Sequence, residues 1–190
     1  ADKQLKENGV DADTRFVQAG VGSLAGAVVG YFAHKYKENP PVMVAAKQVL
    51  PTAYRSAVQA DGNLVNVTGD LQTIMAGLAC GEGNTIGWTS EEHVTVFGPA
   101  QNWMSAKATR IYANPLENDP HIISGESGSV PLGLAYTALH DEDAKDLKEA
   151  LKLDENSNIL VISTEGDTDP VRYREIVWDG LYGTTESLSK

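Results

Sequence analysis

A single cysteine, Cys80, occurs in the 190 residues, so no intrachain disulfide can form and a reducing, cytoplasmic setting is the simplest expectation. Its apolar neighbours in "IMAGLACG" suit a buried, inert thiol better than a nucleophile. Basic residues are also scarce, 15 against 26 acidic ones. The resulting net charge of -11 disfavours electrostatic attraction to nucleic acid or to an anionic membrane surface. A phosphate ligand stays open, because a nest of backbone amides does not depend on net charge. Long apolar runs are missing too. The longest weakly polar stretch, Val17 to Ala33, is interrupted by Gln18 and several glycines and suits a buried strand and helix rather than a membrane span. The opening "ADKQLKENG" is charged and carries no secretory pattern. His34, His93, His121 and His140 are scattered without metal-ligand spacing, no Ser-His-Asp arrangement is legible, and there is no repeat, low-complexity tract or long linker.

With 42% hydrophobic and 22% charged residues, the chain has the composition of one globular domain, 1–190, able to bury a substantial core. Its patterning alternates strand with helix. The start predicts the tail of a helix stopped by a glycine, a strand around Phe16 to Gln18, and a helix from Ser23 to about Lys37. "VMVAA" predicts a second strand, Pro51 begins a helix containing Tyr54 and Ala57, and "DGNLVNVTGD" supplies a third short strand. Asp70 caps an expected helix "LQTIMAGLACG" that Gly81 ends. A strand is expected at His93 to Phe97 and a helix from Met104 to Ala113. "HIISGESGSVPLGLAYTALH" then predicts strand, turn and helix, with Pro131 in the helix's first turn. "DEDAKDLKEALKLDE" predicts a solvated helix with Asp141 and Lys145 paired at i,i+4 and an apolar stripe of Ala144, Leu147 and Leu151. A last strand, "NILVIS", precedes a terminal helix containing Tyr173, Ile176 and Trp178. Apolar strands without strict alternation, separated by helices, imply a three-layer αβα structure with a mainly parallel sheet.

Ligands of such sheets collect at loops beyond the carboxyl ends of the strands. Three loops there are rich in chemistry: "AGVGS", "SGESG" and "STEGDTD". A strand turning sharply into a helix leaves the first helical N–H groups unpartnered, together with the positive end of the dipole, and so suits an anion. Gly20 and Gly22 allow close backbone approach, and Ser23 can cap the helix or donate its hydroxyl. An ordinary βα turn uses the same residue types, and the full GxGxxG fingerprint fails at Ala25. Glu126 has a plainer alternative reading as a helix-start carboxylate stabilised by backbone amides. Asp167, Asp169 and Pro170 suit either an acidic loop or a turn and helix start.

The words "VQAGVGSLAG", "VTGDLQTIMAGLACGE", "IISGESGSVPLGL" and "LVISTEGDTDPVRYREIVWDG", in that order, resemble the C-terminal half of the diaminopropionate ammonia-lyase family. These are pyridoxal-phosphate (PLP) enzymes of the tryptophan-synthase-β fold, fold type II. The resemblance implies cleavage of 2,3-diaminopropionate to pyruvate and ammonia, with the cofactor as electron sink. It implies that Gly20, Val21, Gly22, Ser23 and Leu24 hold the cofactor phosphate, that Ser163 or, preferably, Thr164 meets the pyridine nitrogen, and that Glu126 lines the pocket near the ring. A neutral hydroxyl there keeps the pyridine less protonated than a carboxylate would. It further implies that the Schiff-base lysine, the substrate-carboxylate loop and the proton-transfer acids lie in an N-terminal half outside this chain, leaving a half-site that is inactive alone, and that the whole enzyme is a homodimer. "VAAKQVLPT", where an acidic-proline pair is expected, and Gly83, where proline is expected, depart from the family pattern. Related fold type II specificities (threonine synthase, serine or threonine dehydratase, cysteine synthase) and a non-catalytic anion- or partner-binding module are the alternatives.

Overall fold

The computed structural model describes residues 1–48, 66, 71–85 and 91–183. Four parallel strands form its sheet: β1 (Thr14–Gln18), β2 (Val42–Gln48), β3 (Val96–Ala100) and β4 (Ile159–Val161), in the order β3-β2-β1-β4. Phe16 is in register with Val44 on one side and Val161 on the other. Every residue of β1 is buried, as a strand covered on both faces requires. The main helices are α1 (Asp2–Glu7), α2 (Ser23–Lys35), α3 (Asn102–Ala113), α4 (Glu126–His140), α5 (Lys145–Leu151) and α6 (Pro170–Val177).

Side chains alternate across a strand, so β1 and β2 feed two cores. Phe16, Val44 and Ala46 pack with Met104, Val130 and Leu134 under α3 and α4. Val17, Met43 and Ala45 pack with Ala25, Val29 and Phe32 of α2 on the opposite face. This is the expected three-layer αβα arrangement. The carboxyl ends of β1 and β4 lie side by side, and α4 starts above them.

Several local expectations are corrected. "LQTIMAGLACG" is not a helix: only Ala76–Leu78 makes a 3₁₀ turn, while Met75 and Leu78 insert into the core. Thr73 Oγ1 takes the Met75 N–H at 3.1 Å and donates to Asn102 Oδ1 at 2.7 Å, so side-chain bonds replace the helical ladder. The strand expected at His93 begins at Val96, and Glu91–His93 is a 3₁₀ turn. No strand forms at 121–124; the chain runs irregularly into α4. Pro131 lies inside α4 rather than in its first turn. Asp141 does not pair with Lys145 but accepts from Asp143 N–H at 3.0 Å, capping a 3₁₀ turn, and Lys145 reaches Glu149 at 3.8 Å. Cys80 is only half-buried. The expected helix at Pro51 with Tyr54 and Ala57, the strand in "DGNLVNVTGD" and the Asp70 cap lie outside the described residues.

One feature was not expected at all. Arg15 is 2% exposed, its guanidinium lies 4.3 Å from the Phe32 ring centroid and 5.5 Å from that of Tyr36, and its Nε and Nη1 have no hydrogen-bond partner among the described residues. Its Nη2 is 4.0 Å from Asp11, and burial lowers its pKa. The aromatic faces at the carboxyl end of α2 take the place of a buried counter-ion. Among the described residues, no helix is long and apolar enough to cross a membrane.

Candidate functional site

The loop leaving β1 turns at Gly22, whose φ of +97° is closed to most side chains and which caps α2. Ser23 is therefore the first helical residue and not the cap. Among the described residues, no side chain caps the first amides of this 13-residue helix. Val21 C=O accepts from Asn84 N–H at 2.7 Å, and Ala19 N–H donates to Ala46 C=O at 2.9 Å, so both sides of the turn are held. Ser23 and Leu24 are exposed.

Gly20 sits against the 3₁₀ turn: a Cβ there would lie 2.6 Å from Gly77 O. Gly77 N–H in turn donates to Ser127 Oγ at 3.0 Å, tying the turn to the first turn of α4. Gly128 N–H donates to Glu165 Oε1 at 2.8 Å and Gly125 N–H to Glu165 O at 3.3 Å, which joins α4 to the loop after β4. Ser163 and Ser124 share a hydrogen bond of 2.7 Å between their hydroxyls. Thr164 Oγ1 accepts from Gln18 Nε2 at 2.6 Å, returning to the end of β1. The loops "AGVGS", "SGESG" and "STEGDTD" thus close a ring of contacts at one end of the sheet.

Glu126 opens α4 and is 8% exposed. Burial pushes its carboxyl pKa up, and the nearby Glu165 and Asp169 carboxylates add to the rise. Its backbone carbonyl accepts from Ser105 Oγ at 2.5 Å, anchoring the helix start to α3. Glu126, Ser127, Glu165, Asp169 and Arg172 line a cavity of about 450 Å³. Asp169 also caps α6 by accepting from Arg172 N–H at 3.0 Å, which favours the turn-and-helix reading of "GDTDP".

Gln18, Gly77, Ser124, Ser127 and Glu165 join the site without having been singled out from the sequence. Only Gln18 left a signal, as a polar residue interrupting the weakly polar stretch from Val17 to Ala33. No lysine among the described residues lines the cavity beside Glu126. Lys47 is buried at the end of β2, one residue after the register partner of Gln18 and hence on the opposite face of the sheet. Lys35 is bonded to Asp2, and Lys107 lies over the Tyr136 ring.

No protein-family model matches the chain. It is 44% identical to diaminopropionate ammonia-lyase of Escherichia coli (strain K12) over 182 residues, 95% of this chain and 45% of that protein. A crystal structure of the Escherichia coli diaminopropionate ammonia-lyase in complex with an aminoacrylate-PLP azomethine reaction intermediate superposes with a TM-score of 0.81 at 41% identity, over 95% of this chain and 46% of that one. A fungal L-serine ammonia-lyase from Rhizomucor miehei has a TM-score of 0.72 at 19% identity over 92% of this chain and 52% of its own, which is a likeness of fold. The α/β fold with its parallel sheet is accordingly that of the fold type II PLP enzymes. Over nearly its whole length the chain is similar to the diaminopropionate ammonia-lyases, as its motifs anticipate, and it spans 45% of the length of the curated relatives it matches.

Proposed function

We propose that this chain, as one α/β domain, supplies the phosphate cradle and the pyridine wall of a PLP-dependent ammonia-lyase that cleaves 2,3-diaminopropionate to pyruvate and ammonia. The observation that carries the reading is the meeting of the three motif-bearing loops at the carboxyl end of the sheet, where this fold class collects ligands.

The residues fit the cofactor. Gly22 in its left-handed conformation and the uncapped amides of α2 offer the donor set that a phosphate needs, and Gly20 is packed too closely against Gly77 for any side chain to fill the cradle. Gly20, Val21, Gly22, Ser23 and Leu24 bind and orient the phosphate. Thr164 presents the hydroxyl for the pyridine nitrogen: Gln18 Nε2 donates to its Oγ1, which leaves the Thr164 proton free to be given, whereas Ser163 shares its hydrogen bond with the Ser124 hydroxyl. When bound, the cofactor supplies an electron sink for carbanion development during elimination. Glu126, its pKa raised chiefly by burial, holds a proton on its carboxyl more readily than an exposed glutamate.

The site is read as a half-site, since no described lysine lines the cavity beside Glu126, and the Schiff-base lysine and proton-transfer acids are assigned to a segment outside this chain. The whole enzyme is taken to be a cytoplasmic homodimer of amino-acid metabolism. The test is a chimera: this chain replaces the corresponding residues of the Escherichia coli enzyme, and pyruvate release from 2,3-diaminopropionate is measured. Turnover that Gly22→Asp abolishes supports the reading. A folded chimera that binds PLP yet turns over serine or threonine instead would move it to a neighbouring specificity, and a folded chimera that does not bind PLP would sink it.

A further inference from the structure

One buried polar side chain at the site, that of Gln18, neither lines the phosphate cradle nor caps a helix. Gln18 is 3% exposed, shares a sheet face with Phe16, and donates from Nε2 to Thr164 Oγ1 at 2.6 Å, while its Oε1 has no partner among the described residues. A buried amide in a strand covered on both faces is costly unless its polar atoms are satisfied. The reverse amide orientation would bury N–H groups without an acceptor, and orphaned donors are rarer than under-satisfied carbonyls.

We infer that Gln18 is a positioning residue that sets the Thr164 hydroxyl as a hydrogen-bond donor toward the ring nitrogen of bound PLP. The inference rests on the proposed function and deepens it. A threonine hydroxyl has one proton to give and lone pairs to accept with. The Gln18 amide nitrogen has only protons to offer, so Thr164 Oγ1 accepts on that side and its own proton remains for the ring. A ring nitrogen that receives a donated proton in a hydrogen bond stays unprotonated, whereas a pyridinium would need an acceptor in that place. The backbone fixes the pair, since Gln18 ends β1 and Thr164 follows the neighbouring β4.

The test uses the chain saturated with PLP labelled with ¹⁵N at the ring nitrogen, reading the nitrogen chemical shift by NMR and the PLP Kd by titration. In the unaltered chain the signal stays at the unprotonated position across the neutral range. Gln18→Met fills the same space with no polar end and frees the hydroxyl to turn, so the signal moves toward the pyridinium position and Kd rises about fivefold. In Gln18→Glu an ionised carboxylate can only accept, so the Thr164 proton turns inward and the signal moves further. In a Thr164→Val background, Gln18→Met moves nothing more, which a purely structural role for Gln18 would not produce. Near-UV circular dichroism checks that each variant is folded; if Gln18→Met is not, Gln18→Asn, too short to reach Thr164, carries the same expectation. A bound PLP whose ring signal ignores both Gln18 substitutions, or moves equally with Thr164→Val in place, overturns the inference alone. An unaltered chain that binds no PLP, or binds it as well after Gly22→Asp, overturns the inference together with the functional reading beneath it.

Discussion

Replacing Gly20 with alanine probes the joint on which the phosphate loop rests. The added Cβ would lie 2.6 Å from Gly77 O, 3.4 Å from Leu78 Cα and 3.6 Å from Cys80 Sγ. An ordinary C···O contact is about 3.3 Å or more, so the two backbones must part by about 0.7 Å. The carbonyl cannot swing aside cheaply: Gly77 N–H is bonded to Ser127 Oγ, and Leu78 is 3% exposed in the main core. Overpacking of this kind costs about 1 to 3 kcal/mol. For a chain of this size, about 2 kcal/mol lowers Tm by about 4 to 8 °C. Urea unfolding should show a reduced midpoint with an unchanged slope, since the surface exposed on unfolding is the same. The control is Gly166→Ala, where nothing lies within 4 Å of the added Cβ and a change within about 0.5 kcal/mol is expected. If Gly20→Ala is as silent as Gly166→Ala, the close approach of the two loops, and with it the geometry of the cradle, is refuted.

Three further outcomes follow from the same physics. Arg15 is buried with unsatisfied nitrogens, so Arg15→Met should be neutral or stabilising by about 1 to 2 kcal/mol in thermal unfolding, whereas a large loss would mean that the guanidinium has a partner the fold requires. Arg110 donates to the carbonyls of Ile176, Leu181 and Tyr182 at 3.2, 3.0 and 3.1 Å, so Arg110→Met should cost about 2 to 3 kcal/mol and raise hydrogen exchange across 176–183; unchanged exchange there would contradict the clamp. Glu126 has its pKa raised above the ordinary 4.5 chiefly by burial, so the folded chain keeps a proton that the unfolded chain releases; its contribution is best below 4.5 and is lost as pH rises through the raised value. Urea unfolding from acid to neutral pH should therefore show Glu126→Gln gaining on the unaltered chain and then levelling, and a gap independent of pH would count against the burial argument.

What the sequence disclosed follows from how local each cause is. β1 and β2 each contain a short apolar run, and α2 is capped by a glycine that needs a positive φ, so their places are written in a few adjacent residues. The first loop of the site was legible for the same reason. The segment around Met75 has the apolar spacing of a helix, yet its shape is set by Thr73, Asn102 and Ser127, the last two of them distant in sequence. Pro131 suggests a helix start just before it, but α4 begins five residues earlier, at Glu126, because Gly125 and Gly128 are held by Glu165 across the site. Position 131 then lacks the N–H that would bond to the Ser127 carbonyl, a loss the helix tolerates within its buried first half. Gln18 and Thr164 lie 146 positions apart, so their pairing depends on strand order, which no local pattern states. The buried Arg15 contradicts its residue type, and only the rings of Phe32 and Tyr36, brought over it by the return of α2, explain it.

The proposed function requires that this chain grip the cofactor through its phosphate and that none of its lysines hold it covalently. The direct measurement is parallel titration with PLP and with pyridoxal, which has no phosphate, followed by borohydride treatment and peptide mapping. The account predicts that PLP binds on the order of tenfold or more tightly than pyridoxal, that Gly22→Asp removes the difference, and that borohydride fixes cofactor onto no specific lysine. Equal binding of the two, or one mapped lysine of this chain carrying the reduced cofactor, would contradict it.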